Sequence, residues 1–438
     1  MVSVSTTMVM EFTDRVFLAR YSLDTIAAAM PAGITAFLFI VFFQGVASYA
    51  NVFIAQYTGS GAPRRIGAVL WQGIYFSILA AVVLAGLSML AAPLFAASGH
   101  PAEIQHLEIV YFRVLLFGAG LNVLGTAFSC FFSGQGLTRA VMVVHLVGTL
   151  FNVPLDYALI NGAWFFPELG ILGAGLATVS AWALVALLFG LLIFTKENER
   201  RFQVRGRQRF EPDLFFRLMR FGIPGSVQFC MDVFGFAFFI FMVGRIGKTE
   251  LAVTNMVMSI NSLAFMPMMG MSLGTSTLVG QALGAGRPET AVETTRLTLH
   301  LVFAYISVLL LVFVLLPEPL LHLFQPRGMD GGEFEKIVGI GVILLRLVAV
   351  YIFFDAQYMV YVGVLKGAGD TRFIMWSIGS LSLLVMALPI WIMVHCFHAG
   401  IFPVWGCVLA FIFSLFAVSR WRYRTGRWKE IRLIGASP

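Results

Sequence analysis

GVASYANVFIAQYTGSGAPRRIG (residues 45–67) and GMSLGTSTLVGQALGAGRPETAV (residues 270–292) follow one pattern written twice. Aligned without a gap, Gly45 falls on Gly270, Gln56 on Gln281, Gly59 on Gly284, Gly61 on Gly286 and Pro63 on Pro288. The offset, 270 − 45 = 225, is about half of the 438 residues. A second trace agrees: FFSGQGLTR (131–139) aligns with VLKGAGDTR (364–372), pairing Gly134 with Gly367, Gly136 with Gly369 and Arg139 with Arg372. The chain is therefore expected to be two copies of one half.

What kind of half follows from composition. The chain is 59% hydrophobic and 12% charged, against about 25% charged in soluble domains. Apolar runs long enough to cross a bilayer recur around 26–56, 66–98, 103–133, 140–161 and 173–195, then 214–244, 250–283, 290–325, 335–366, 372–398 and 402–420. With a partial helix at the start, this predicts an all-α membrane protein of about twelve helices in two six-helix lobes. The expected boundaries are 1–196 for the first lobe, 197–213 for a cytoplasmic linker, 214–420 for the second lobe and 421–438 for a basic cytoplasmic tail. Six is even, so the second half enters from the same side and the repeats are parallel.

The net charge of +7 sits in loops and tail. Arg64, Arg65, Arg139, Arg287, Lys366, Arg372, the linker and the tail fall on one side, which the positive-inside rule makes cytoplasmic, with both termini. Loops near Arg20, Arg245 and Arg327 are partial exceptions. This placement accounts for the charge without nucleic acid. The four cysteines (Cys130, Cys230, Cys396, Cys407) lie in apolar runs without CxxC spacing, and no His pair has zinc-protease spacing. No nucleophile–base pair or metal cluster points to an enzyme. The N-terminus lacks a signal-peptide pattern and reads as a helix entered halfway: the counterpart of Pro224 would fall before residue 1. Truncation and a naturally short start both fit.

Chemistry is concentrated in a few carboxylates inside apolar runs: Asp14, Asp156, Asp232 and Asp355. A charge at such depth costs roughly 2.5–3.5 kcal/mol, so function is the default, with a helix-end carboxylate reaching interfacial water as the alternative. Glu11 shares a helical face with Asp14. Asn152 and Asp156, spaced i, i+4, share another, and Pro154 between them leaves the Leu150 carbonyl without its helical donor. Hard oxygen ligands suit Na⁺ or a proton; an intramembrane Asn also serves as helix–helix glue. The glycine turns at 59–61 and 284–286 lack a preceding strand or a following Lys-Ser/Thr, so helix termination accounts for them.

In combination, DRVFLARYS with TIAAAMP, the paired glycine segments, NVPLDYALI with GILGAGLAT, and LKGAGDTR resemble the multidrug and toxic compound extrusion (MATE) transporters, closest to their NorM-like branch. The resemblance implies cation-driven export of organic cations from a cavity between two lobes. It also implies a first-lobe cation site, with Asp14 as the first-helix Asp, Asn152 and Asp156 as the fifth-helix pair and Thr178 from the sixth helix. Na⁺ would bind at Asp14, Asn152 and Asp156. Asp232 stands where many members have a seventh-helix Glu, and Asp355 matches a tenth-helix Asp. The repeat places Asn122 opposite Asp355, so Asn122 joins the candidate residues. The expected function is a secondary active multidrug exporter, monomeric, in the bacterial inner membrane, with no cofactor but Na⁺ or H⁺ as coupling ion. The alternative is a flippase for lipid-linked oligosaccharide or peptidoglycan precursors. A flippase needs basic residues in its cavity, and only Arg113 and Arg346 stand out within the spans.

Overall fold

The computed structural model describes residues 2–206, 208–325 and 331–434, and leaves the side chains of residues 2–9, 11, 263, 331 and 333 aside. Every long element is a helix. The chain divides into two compact bodies: Val2–Ser226 with Gly284–Gly286 and the chain from Leu433 onward, and Val227–Leu283 with Arg287–Arg432.

The first body opens with α1 (Val2–Tyr21), followed by α2 (Leu23–Ser48), α3 (Ala50–Gly59), α4 (Pro63–Leu87) and the short α5 (Ala91–Ala96). Then come α6 (Ala102–Ser133), α7 (Thr138–Asn161), α8 (Ile171–Ile193) and the seven-residue α9 (Lys196–Phe202). Helix α10 (Pro212–Ile246) passes from the first body into the second. The second holds α11 (Lys248–Gly284), α12 (Pro288–Leu315), α13 (Pro317–His322), α14 (Gly331–Ala368), α15 (Thr371–Leu381), α16 (Leu388–His395) and α17 (Ile401–Arg424).

Among the described residues, ten helical segments are long and apolar enough to cross a membrane, or eleven when α11 counts as one bent span. The all-α membrane fold expected from composition is present. Helix α1 falls short as an apolar span because Glu11, Asp14, Arg15 and Arg20 crowd its 20 residues. The two parts of α11 meet at 43° between Ser262 and Ala264. Pro267 supplies the cause: its ring collides with the carbonyl of residue 263 and it has no N–H to donate.

The repeated glycines have matching physical roles. Gly61 and Gly286 adopt φ of 69° and 68°, and Gly136 and Gly369 adopt 83° and 96°. Each second glycine of a pair thus makes a left-handed turn between helices, where a side chain would be strained. The first glycines allow close backbone approach instead. A Cβ on Gly134 would collide with the carbonyl of Asn51, and one on Gly367 with the carbonyl of Ser276. Ser276 lies 225 residues after Asn51, the offset read from sequence. Each body thus closes the same interhelical contact with its own copy of the motif.

The stretch after α8 is docked rather than loose. Phe202 and Val204 are buried in the core of the first body, beside Phe131 and Leu70. Trp71 donates to the Val204 carbonyl at 2.5 Å, Tyr75 donates to the Gln208 carbonyl, and buried Gln72 accepts from the Glu211 amide at 3.3 Å. These three polar side chains lie on one side of α4.

Candidate functional site

In the first body, α7 packs against both α1 and α8. The approach is backbone-close: a Cβ on Gly173 of α8 would collide with the Leu159 carbonyl of α7, one turn beyond Asp156. Helix α1 is tied down at its end, where Tyr21 donates to Glu168 at 2.8 Å and Thr25 donates to the Leu18 carbonyl at 2.9 Å. Phe17 of α1 also meets the Tyr157 ring edge-on at 5.6 Å.

This packing gathers four side chains named from the sequence. Asp14, Asn152, Asp156 and Thr178 are all buried, Asn152 and Asp156 completely. Thr178 Oγ1 donates to Asp14 Oδ2 at 3.2 Å. The Asp14 carboxyl lies close enough to Asp156 for its charge to act on it. Both oxygens of Asp156 and both polar atoms of the Asn152 side chain are buried without a well-formed hydrogen bond among the described residues. Pro154 sits between them inside α7, which leaves the Leu150 carbonyl without the helical donor it would otherwise have. The result is a buried oxygen-rich cluster: two carboxylates, an amide, a hydroxyl and a backbone carbonyl not used by its helix.

A buried polar atom left unpaired costs about 1–3 kcal/mol, and an unpaired charge costs more. Two carboxylates at close quarters do not both stay ionised in a dry site unless a cation or a shared proton offsets them. Among the described residues no group of three or more His, Cys, Asp or Glu could hold a metal. Na⁺ here would therefore draw on the Asn152 and Thr178 oxygens as well as the two carboxylates.

The remaining candidates lie elsewhere. Asn122 is in α6 of the first body, where its side-chain oxygen accepts from Gln44 at 3.1 Å. Glu11 belongs to α1, but its side chain is outside the described residues. Asp232 on α10 and Asp355 on α14 belong to the second body, with Asp355 buried and Asp232 half-buried. The two lie within electrostatic reach of each other and of Tyr358.

Two members of this second cluster escaped the sequence reading. Gln228, four residues before Asp232, donates to its Oδ2; the i, i+4 spacing was the available signal. Lys366 is the other. Read as a loop residue, it is half-buried in the last turn of α14, within electrostatic reach of Asp232. The helix runs on to Ala368 because Gly369, not Gly367, takes the left-handed turn.

Comparison with known proteins agrees with this architecture. The sequence profile of the MatE family matches residues 1–158 and 224–391. A probable multidrug resistance protein NorM of Burkholderia pseudomallei (strain K96243) is 28% identical over 426 residues, covering 95% of this chain and 88% of that protein. A probable multidrug resistance protein NorM of Thermotoga maritima is 26% identical over 429 residues, covering 97% and 89%. Among solved structures, a MATE protein in its bent conformation superimposes with a TM-score of 0.87 at 20% identity, over 98% of this chain and 94% of that one. The outward-facing conformation of a multidrug resistance MATE family transporter of the MOP superfamily gives 0.84 at 19%, with the same coverage.

Proposed function

The chain belongs to the MatE family of membrane transporters, and on that premise we propose that it is a multidrug exporter driven by antiport of Na⁺ or H⁺. The relatives named as multidrug resistance proteins support the substrate class. One observation carries the coupling site: Asp156 and Asn152 are fully buried with their polar atoms unsatisfied, beside the Asp14–Thr178 pair. Such a site is stable only with a positive charge in it, and it serves proton and Na⁺ alike.

In this reading the coupling ion enters the Asp14–Asn152–Asp156–Thr178 cluster and favours one arrangement of the transporter, while the exported compound favours the other. Alternating access follows when each ligand binds the two arrangements with different affinity. Asp232 and Asp355, with Gln228, offer an organic cation a second acidic surface in the second body. We place the protein in a bacterial inner membrane as a monomer, both termini cytoplasmic, on the distribution of Lys and Arg. Lys366 is a basic group at this cluster that would suit a lipid-phosphate flippase, but Asp232 acts on its charge, so export of cations is the better reading.

Uptake of a fluorescent organic cation from the medium into everted membrane vesicles, whose outer face is the cytoplasmic one, tests this. Collapse of the coupling ion's gradient, Na⁺ or H⁺, should stop transport, while collapse of the other should leave it running. Transport that continues with both collapsed, or that requires ATP, would overturn the proposal.

A further inference from the structure

We infer that the α6–α8 flank of the first body binds an anionic phospholipid, with an acyl chain in an apolar groove and the phosphate on Arg205. The groove has a volume of about 480 Å³ and runs between Leu124 and Phe128 of α6 and Ala186, Gly190 and Leu191 of α8, with Arg205 at one end.

Its shape follows from side-chain size. Ala186 and Gly190 leave space along α8 where larger residues would fill it. A Cβ on Gly190 would sit 3.6 Å from the Phe128 ring, an ordinary contact, so this glycine is not needed for close helix packing. The rim is apolar and open, with Leu191 64% exposed. A tail lying there buries apolar surface on both sides, the general driving force for lipid insertion.

The charge lies beside Phe194. Arg205 Nη2 donates to the Phe194 carbonyl, at the end of α8, at 2.8 Å. Among the described residues this bond uses one of the guanidinium's five N–H donors and leaves most of them for an acceptor, and a planar guanidinium matches phosphate in two-pronged fashion. Glu199 accepts from the Arg205 backbone amide at 2.5 Å. Phe194 ends the apolar run of α8, and Lys196, Arg200 and Arg201 follow in α9. An apolar trough that gives way to fixed positive charge where a span meets its linker has the polarity of a lipid's own chain and headgroup. A free anion satisfies only Arg205, and a neutral lipid satisfies only the trough.

The test uses the full-length protein equilibrated with mixed phosphatidylglycerol and phosphatidylcholine, with retained lipid counted by native mass spectrometry. Wild type should retain one phosphatidylglycerol in preference to phosphatidylcholine, and the preference should fall at high salt. Arg205→Gln should reduce it about fivefold, the scale of one basic residue at a membrane surface, and Arg205→Lys should keep part of it. Gly190→Leu, which fills the trough, should lower retention of both lipids. Inorganic phosphate should displace nothing from wild type. Equal retention of the two lipids by wild type, an unchanged preference in Arg205→Gln, or displacement by inorganic phosphate would each overturn the assignment.

Discussion

Replacing Asp156 by Asn keeps the shape of a fully buried side chain and removes its charge. In the structure that charge has no hydrogen-bond donor, and its neighbours are the Asp14 carboxyl and the unsatisfied Asn152 amide. For folding, the substitution removes an uncompensated buried charge, so the apparent melting temperature in detergent should hold or rise. For cation binding, the same change takes away one of two carboxylates. Removing one partner of a buried ion pair costs about 3–5 kcal/mol, or a few hundred- to a few thousand-fold in affinity. Uptake of a fluorescent cation into everted vesicles should therefore fall to background at gradients that saturate the wild type. The diagnostic result is the split: transport lost, stability kept. Undiminished export by Asp156→Asn would refute the coupling role. Loss of export together with a lowered melting temperature would show that the carboxylate serves packing instead.

Two further outcomes follow from single contacts. Thr178→Ala removes the 3.2 Å hydrogen bond to Asp14, and a bond to a charged group is worth about 1.5–3 kcal/mol; a higher ion concentration should be needed to drive export, with Thr178→Ser restoring the wild-type requirement. Gly61→Ala and Gly286→Ala force a side chain into the left-handed region where nothing else obstructs it; each should cost about 1–2 kcal/mol of stability in thermal unfolding, nearly equal between the two because their dihedrals are nearly equal.

The duplicated scaffold is legible in sequence because glycine is demanded by backbone geometry, and geometry repeats when a fold is duplicated. Gly61 and Gly286 hold left-handed turns that strain any side chain, and Gly134 and Gly367 cannot be replaced without moving a helix, so both pairs mark equivalent positions. The buried carboxylates are legible for a different reason: a charge amid apolar residues has few structural uses. What escapes the sequence depends on where helices stop and what lies beside them. Lys366 looks like a loop residue because two glycines follow it, and only the dihedral of Gly369 shows which one ends α14. Gln228 is an ordinary polar residue until its four-residue spacing from Asp232 is set on one face. The docking of residues 203–211 on α4 depends on Trp71, Gln72 and Tyr75 meeting backbone atoms about 130–140 positions away, and no local pattern encodes that.

The membership of the first body has a consequence for biogenesis. Most of it is made first, yet Gly284–Gly286 and the chain from Leu433 belong to it as well. A Cβ on Gly284 would collide with the Gln56 carbonyl, and Leu433 is fully buried among Tyr57, Ile66 and their neighbours. That body is therefore completed only after residues 284–286 and 433 have been made. Until then, the helix ends around Gln56 and Ile66 await these later partners. A nascent chain stalled near residue 226 should accordingly be more sensitive to protease at those helix ends than the finished protein, and expression of the first half alone should yield a body lacking those two closing contacts.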